Sequence, residues 1–483
     1  MGEYTKVVIG QTTEHVPNPI LLGLKTRHLQ LIGIGGAIGA GFFIGSGVAI
    51  SQAGPALLIA YILTGAVMFL MMRALGEMTL AYPAAGSFSS YATQFIGPLA
   101  GFVTGWSYWL ACLLVGIAEM TGVGLLLHRW FPHLPQWIPA LCAALLLYGI
   151  NMRGVRFFGE TEYWLTMIKV GTIVAVLLCG LAILFFKIGS LGNQAAISNL
   201  WAHGGILPNG LHGLLTALPL VIFSYGGIES IGLASAETER LAYALPRAIN
   251  GTLYRILLFY VGSFAVIMML YPWNLLDPKQ SPFVMVLAYA GFPAAANAVT
   301  FVAITALLSS CNTGLFGTSR MLHALASSGQ APMRLRKLND RNIPSLSLAV
   351  SGSILMFGVV LNYLIPDKIL GYLLTMVAWL LLWAWSSIAL SHLFHRRAVA
   401  KDSSRHVNFR MPGSPYTNWA ILLVMGVIAV MIAAYGSSPI TFYLLLSWIV
   451  SLTIAYYFNP SRRPSEAASQ MPFHSHAKNL PKE

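Results

Sequence analysis

Gly33-Ile34-Gly35-Gly36-Ala37-Ile38-Gly39-Ala40-Gly41-Phe42-Phe43-Ile44-Gly45-Ser46-Gly47 puts seven glycines into fifteen residues of the first apolar run of the chain. Glycine holds a helix interior poorly, so a run this dense invites the backbone to leave the helix between Gly36 and Gly41. Inside a bilayer, unwound backbone leaves N–H and C=O groups that only other protein or a polar cavity can satisfy. One reading is a binding site near the membrane midplane. The other is a close helix contact of small-xxx-small type, which needs only two small residues four apart.

The membrane setting follows from composition. Of 483 residues, 57% are hydrophobic and 9% charged, which rules out an ordinary water-soluble globule. Twelve apolar segments are expected, at 29–52, 56–80, 98–127, 136–150, 162–186, 209–236, 250–271, 283–318, 345–365, 369–393, 417–435 and 440–458. The chain therefore reads as an all-α polytopic membrane protein. A polar segment covers 1–28, the membrane domain 29–458, and a polar tail 459–483, whose composition suits disorder.

The net charge of +13 does not point to nucleic acid, because the basic residues are spread through short loops and form no single patch. With a cytoplasmic N-terminus, 24 of the 28 Lys and Arg fall on or near the cytoplasmic side, leaving Arg129, Lys187, Lys279 and Lys368 outside. Both termini are thus expected in the cytoplasm. The densest blocks are Arg334, Arg336, Lys337 and Arg341, then Arg396, Arg397, Lys401, Arg405 and Arg410. They read as orientation signals, with anionic-lipid contact as the alternative. The first apolar run is too long for a cleavable leader. Cys112, Cys142, Cys179 and Cys311 lie in apolar segments without CxxC spacing and read as small core residues. The sequence contains no phosphate-binding GxxxxGK[ST] loop, zinc-type spacing or GxSxG turn, and the histidines fall mostly at loops and ends without paired helical spacing. An enzyme is not indicated, and no cofactor or metal is implied.

Phe223-Ser224-Tyr225-Gly226-Gly227-Ile228-Glu229-Ser230-Ile231-Gly232 repeats the pattern of the opening stretch in segment 6 and adds a carboxyl group. Segments 1 and 6 hold corresponding places in two five-helix halves. Paired interruptions there are the signature of a five-plus-five inverted repeat with discontinuous helices 1 and 6, with segments 11 and 12 appended. Free N–H groups at a half-helix N-terminus can hold a carboxylate, and free C=O groups at a half-helix C-terminus an ammonium. A zwitterionic amino acid carries both.

Together with GGAIGAGFFIGSG at 35–47, the stretches MRALGEM at 72–78, FGETEYW at 158–164, IKV at 168–170, FSYGGIE at 223–229, YPWN at 271–274 and SRMLHALA at 319–326 resemble the bacterial amino acid permeases of the amino acid–polyamine–organocation superfamily. The resemblance runs from Gly23 to Pro460 and is nearest to permeases for proline, histidine, threonine/serine and aromatic amino acids. It implies proton symport of a neutral L-amino acid by alternating access across the bacterial inner membrane, with membrane lipids around the helices. An exchanger, or a sensor on the same fold, is the alternative. It also implies that the N–H groups of Gly39, Ala40 and Gly41 receive the substrate carboxylate. The carbonyls of Ala37, Phe223, Ser224 and Gly226 would surround its amino group. Phe223 resembles a gate over the substrate, with a plain core aromatic as the other reading. One departure is Glu237-Thr238-Glu239-Arg240-Leu241, where the family usually has an acidic residue followed by Asn-Pro or Asp-Pro. It concerns the end of segment 6.

Ionisable residues inside a membrane are costly unless paired or functional. Glu119 is expected to face substrate, to carry a proton, or to tie helices together. Glu229 is expected to cap freed N–H groups or to couple to protonation. Lys169 either snorkels to the cytoplasmic face or serves proton coupling. Ala306, Ser309 and Ser310, at i, i+3 and i+4, share one helical face. That face resembles the one that holds sodium in sodium-coupled relatives, where a lysine replaces the ion in proton-coupled ones.

Overall fold

The computed structural model describes residues 23–84, 86–278, 280–399, 408–435 and 439–458. The expected tail, residues 1–22 of the expected N-terminal segment, and Lys279, Lys401 and Arg405 lie outside the described residues. The regular structure is helical: α1 Thr26–Ala37, α2 Ser46–Ala53, α3 Ala56–Ala81, α4 Phe88–Phe95, α5 Pro98–Leu127, α6 Trp137–Asn151, α7 Val155–Phe186 and α8 Gly210–Tyr225. These are followed by α9 Ser230–Ala234, α10 Leu241–Leu270, α11 Pro282–Tyr289, α12 Pro293–Ser327, α13 Ser345–Leu364, α14 Pro366–Val399, α15 Tyr416–Tyr435 and α16 Pro439–Phe458. Among the described residues, ten spans are long and apolar enough to cross a membrane, and the bent pair α1–α2 makes an eleventh. The shorter apolar α6 has 15 residues. Outward faces of α7, α15 and α16 carry large apolar side chains such as Leu178, Phe185, Leu423 and Phe458, where a soluble protein would be polar. The chain is an all-α, multi-pass membrane protein.

α5 and α12 pack against each other most extensively, and α14 lies along α5. α1 packs on α7, α10 and α12, while α8 meets α2, α3 and α14. The two glycine-rich interruptions meet in this frame. α1 ends at Ala37 because Ile38 turns extended (φ −85°, ψ 91°), and the chain re-enters through a π-helical turn at Gly41–Gly45, bent by 40°. α8 stops at Tyr225, and Gly226 is extended with ψ 143°. Gly227 has φ +97°, and a Cβ on it would stand 2.7 Å from the backbone carbon and oxygen of Gly36. Glycine is needed there twice over, for the left-handed backbone and for the close approach of the breaks.

Several boundaries differ from those the sequence suggests. Segment 8 is two helices, because Gly291 turns left-handed (φ +89°) and Pro293 restarts the chain as α12. Segment 7 begins nine residues early, at Leu241, with Pro246 in its second turn. Segment 5 begins at Val155 and segment 10 extends to Val399. The Pro/Gly/Ser-rich connection after α3 contains a helix, α4. Cys112 and Cys311 are buried, but Cys142 is exposed and Cys179 intermediate. His392 and His395 do pair on a helix, at i and i+3 of α14, and both are buried. His392 Nε2 lies 3.1 Å from the buried Glu77, which also holds Arg396 at 2.7 Å and the Met411 N–H at 2.8 Å.

The departure at 237–241 has a local explanation. α9 passes into a 3₁₀ turn at Ser235–Glu237, Thr238 is extended, and Arg240 adopts a left-handed conformation (φ 51°) just before α10. The N–H groups of Gly23 and Leu24 donate to the Glu237 carbonyl at 3.2 and 3.0 Å, and Glu239 N–H returns to the Leu24 carbonyl at 2.9 Å. The Glu237 side chain pairs with Arg320 at 3.0 Å, both nearly buried.

Candidate functional site

The break in α1 frees specific carbonyls. Phe42 N–H bonds to the Gly39 carbonyl at 3.1 Å, so Ile38 O loses the donor a continuous helix would give it. Lys169, on α7 and fully buried, fills the gap, its Nζ donating to Gly35 O at 2.6 Å and Ile38 O at 3.0 Å. It does not snorkel. Ser309 and Ser310 of α12 bond to other groups than Lys169. The Ser309 hydroxyl donates to Glu162 on α7, and Ser310 turns to Gly36 and Glu119. Ala306 is buried on the same face of α12.

On the other side of the break, Glu119 Oε2 accepts the Ala40 N–H at 2.9 Å. Ser310 Oγ stands 2.9 Å from Glu119 Oε1 and 3.0 Å from Gly36 O. One hydroxyl hydrogen serves one of these acceptors at a time, so the set is complete only when Glu119 itself carries a proton and donates to Ser310. A carboxyl group thus sits at the start of the second half of helix 1, where the resemblance places a substrate carboxylate. Gly39 packs tightly against it, since an added Cβ would come 2.2 Å from Glu119 Oε1.

The carbonyls of Ala37 and Ser224, one from each break, converge on the Tyr260 hydroxyl of α10, at 3.0 and 2.5 Å. A phenol has a single hydrogen for these two acceptors. Tyr61 donates to Ser224 Oγ at 3.1 Å, and Tyr225 to the Tyr61 carbonyl at 2.7 Å. Phe223 is buried beside Gly41, with its Cδ1 2.8 Å from where a Gly41 Cβ would be. Gly226 N–H returns to Phe223 O at 3.0 Å. Glu229 takes up groups at the second break: Oε1 accepts the Gly227 N–H and the Tyr108 hydroxyl, each at 3.0 Å, and Oε2 accepts Trp385 Nε1 at 3.3 Å. A small cavity beside this junction is bordered by Cys112, Val115, Gly227, Thr313 and Leu381. The Thr313 side chain is buried there.

Sequence reasoning missed four members of this network. Glu162 precedes Lys169 by seven residues, a spacing that puts both on one helical face and was a usable signal. Asn312 reaches Glu162 at 3.3 Å and Asn151 of α6 reaches Asn312 at 2.8 Å. Tyr260 left no signal, because an aromatic inside an apolar helix is unremarkable until its hydroxyl is placed.

Interrupted helices meeting at a buried polar junction inside a multi-pass bundle define a membrane transporter of the discontinuous-helix class. The amino acid permease family model matches residues 28–468. The chain is 39% identical over 447 residues to the uncharacterized amino acid permease YtnA of Bacillus subtilis, covering 92% of this chain and 96% of that protein. It is 39% identical to the amino-acid permease AapA of the same organism, over 90% of this chain and 94% of that protein. Its identity to the aromatic amino acid transport protein AroP of Escherichia coli K12 is 40%, over 90% and 95%. The chain belongs to the amino acid permease family, within the amino acid–polyamine–organocation superfamily.

Proposed function

We propose that this permease imports a neutral L-α-amino acid by proton symport and alternating access across a bacterial inner membrane, with both termini cytoplasmic. Residues 29–458 form the transport domain, arranged as two inverted five-helix halves plus α15 and α16. The substrate carboxylate takes the N–H groups of Gly39, Ala40 and Gly41. Its ammonium takes the carbonyls of Ala37, Phe223, Ser224 and Gly226, and Phe223 closes over it. Lys169, Glu119, Ser309 and Ser310 couple the proton, and Glu229 holds the second break and responds to it.

The observation that carries this reading is the convergence of Ala37 O and Ser224 O on one donor position, 3.0 and 2.5 Å from the Tyr260 oxygen. An ammonium, with three hydrogens, satisfies both carbonyls where a phenol cannot. The Ala40 N–H, which donates to the Glu119 carboxyl group, supports a complementary anion position there. A neutral side chain suits the adjoining cavity, because its one carboxyl group, Glu229, already has three donors.

The test is uptake into proteoliposomes under an imposed pH gradient. The twenty amino acids and their decarboxylated amines compete against a labelled neutral amino acid. Neutral L-amino acids should compete and the amines should not; equal competition by the amines would overturn the assignment. Counterflow without net uptake would convert symport to exchange.

A further inference from the structure

Glu162 has no part in the roles above, yet it is fully buried inside the bundle. It shares a face of α7 with Lys169, about 10 Å away along the axis at 1.5 Å per residue. Both side chains meet α1 at one residue. Lys169 Nζ donates to the Gly35 carbonyl at 2.6 Å, and a Cβ on Gly35 would lie 2.1 Å from Glu162 Oε1. Only glycine allows the carboxyl group so close to that backbone.

The partners of Glu162 are donors. Oε1 receives the Ser309 hydroxyl and the Thr166 hydroxyl, the latter at 3.3 Å, and Oε2 receives Asn312 Nδ2 at 3.3 Å. The Asn312 amide cannot turn round without loss, because its Oδ1 accepts Asn151 Nδ2 at 2.8 Å. Three donors, one of them fixed in orientation, make an environment for a carboxylate. Glu119 differs, since its Ser310 partner also stands on the Gly36 carbonyl and the set closes only with an added proton.

We propose that Glu162 is the fixed counter-ion of Lys169: it stays ionised through the transport cycle and sets the pH at which Lys169 gives up its proton. This rests on the proton-coupled reading above. A buried ammonium bound only to carbonyl dipoles loses its proton readily, and a nearby anion opposes that loss. In the step itself, an N–H bond of Lys169 breaks, the proton leaves toward water, and Glu162 is covalently unchanged. The other titratable group acting on Lys169 is Glu119 of α5, which in turn has the Tyr260 phenol of α10 and the Cys311 thiol of α12 as its neighbours. Ser309, Ser310, Asn312, Asn151 and Thr166 supply only neutral dipoles.

The experiment compares full-length wild type, Glu162→Gln and Glu162→Asp in proteoliposomes, using a mixture of labelled neutral L-amino acids. Equilibrium binding and pH-gradient-driven accumulation are measured across external and internal pH. Glu162→Gln should bind within about threefold of wild type, while the midpoint of its pH dependence moves at least about one unit toward acid. Glu162→Asp should recover at least half of that displacement. A wild-type midpoint in Glu162→Gln, or equal displacement in both variants, overturns the proposal. Should Glu162→Gln fail to insert, Glu162→Ala takes its place with the same two outcomes: an acid-shifted midpoint with retained binding supports the counter-ion role, and a wild-type midpoint overturns it. Absence of accumulation in wild type would refute proton symport itself, a result distinct from either.

Discussion

Lys169 Nζ and the carbonyl oxygen of Gly35 lie 2.6 Å apart, joining α7 to the carbonyl end of the first half of helix 1 across 134 residues of sequence. The bond exists because the helix breaks at Ile38 and leaves acceptors behind. A tie that forms with a charged amine and loosens with a neutral one is a two-state element on which proton and substrate can both act. Lys169→Ala should lose pH-gradient-driven accumulation while retaining counterflow of labelled amino acid. Undiminished accumulation against a gradient would make Lys169 a structural strut and pass the coupled proton to Glu119 or Glu229.

Gly41 faces the second break directly. A Cβ there would stand 2.7 Å from Ser224 Oγ and 2.8 Å from the Phe223 ring, so Gly41→Val forces the two interruptions apart. Overpacking of this kind costs about 1–3 kcal/mol and falls where substrate contacts are drawn. The purified variant should insert normally and show no substrate-induced rise in melting temperature. Wild-type affinity would mean that the two breaks serve packing only.

Tyr260→Phe removes the one hydrogen shared by the Ala37 and Ser224 carbonyls. Leaving buried acceptors unmet costs about 1–3 kcal/mol in the empty protein, a cost that a bound ammonium would relieve. The variant should melt earlier than wild type without substrate, and saturating substrate should raise its melting temperature by more. If substrate gives a smaller increment, the hydroxyl is itself a substrate ligand and does not stand in for one.

Arg320 and Glu237 form a nearly buried ion pair at the end of the bundle where the Gly23–Leu24 segment docks. Removing one partner strands the other charge, so Arg320→Ala should cost about 3–5 kcal/mol. Adding Glu237→Ala to Arg320→Ala should return part of that loss. The double-mutant cycle is read from thermal unfolding in detergent, and strictly additive losses would show the pair to be uncoupled.

Much of this architecture was legible in the chain itself. Apolar runs and the dispersal of Lys and Arg among loops read directly as a multi-pass helical protein, because a bilayer imposes length and hydropathy on each span separately. The glycines at 33–47 and at 226–227 mark the two interruptions for a similarly local reason, since φ +97° at Gly227 is open to glycine and strained for other residues. The split of segment 8 at Gly291–Pro293 escaped, because both pieces are apolar and periodicity does not register a short turn. What fills the freed backbone groups was decided only by the tertiary structure. Lys169 could as well have snorkelled, and its burial depends on α1, α5 and α12 closing around it. Tyr260, Glu162, Asn312 and Asn151 become one network with the breaks through contacts between distant segments, 223 residues apart for Tyr260 and Ala37. Hydropathy reports how a segment partitions into the membrane; which neighbour satisfies a given carbonyl depends on how the helices pack.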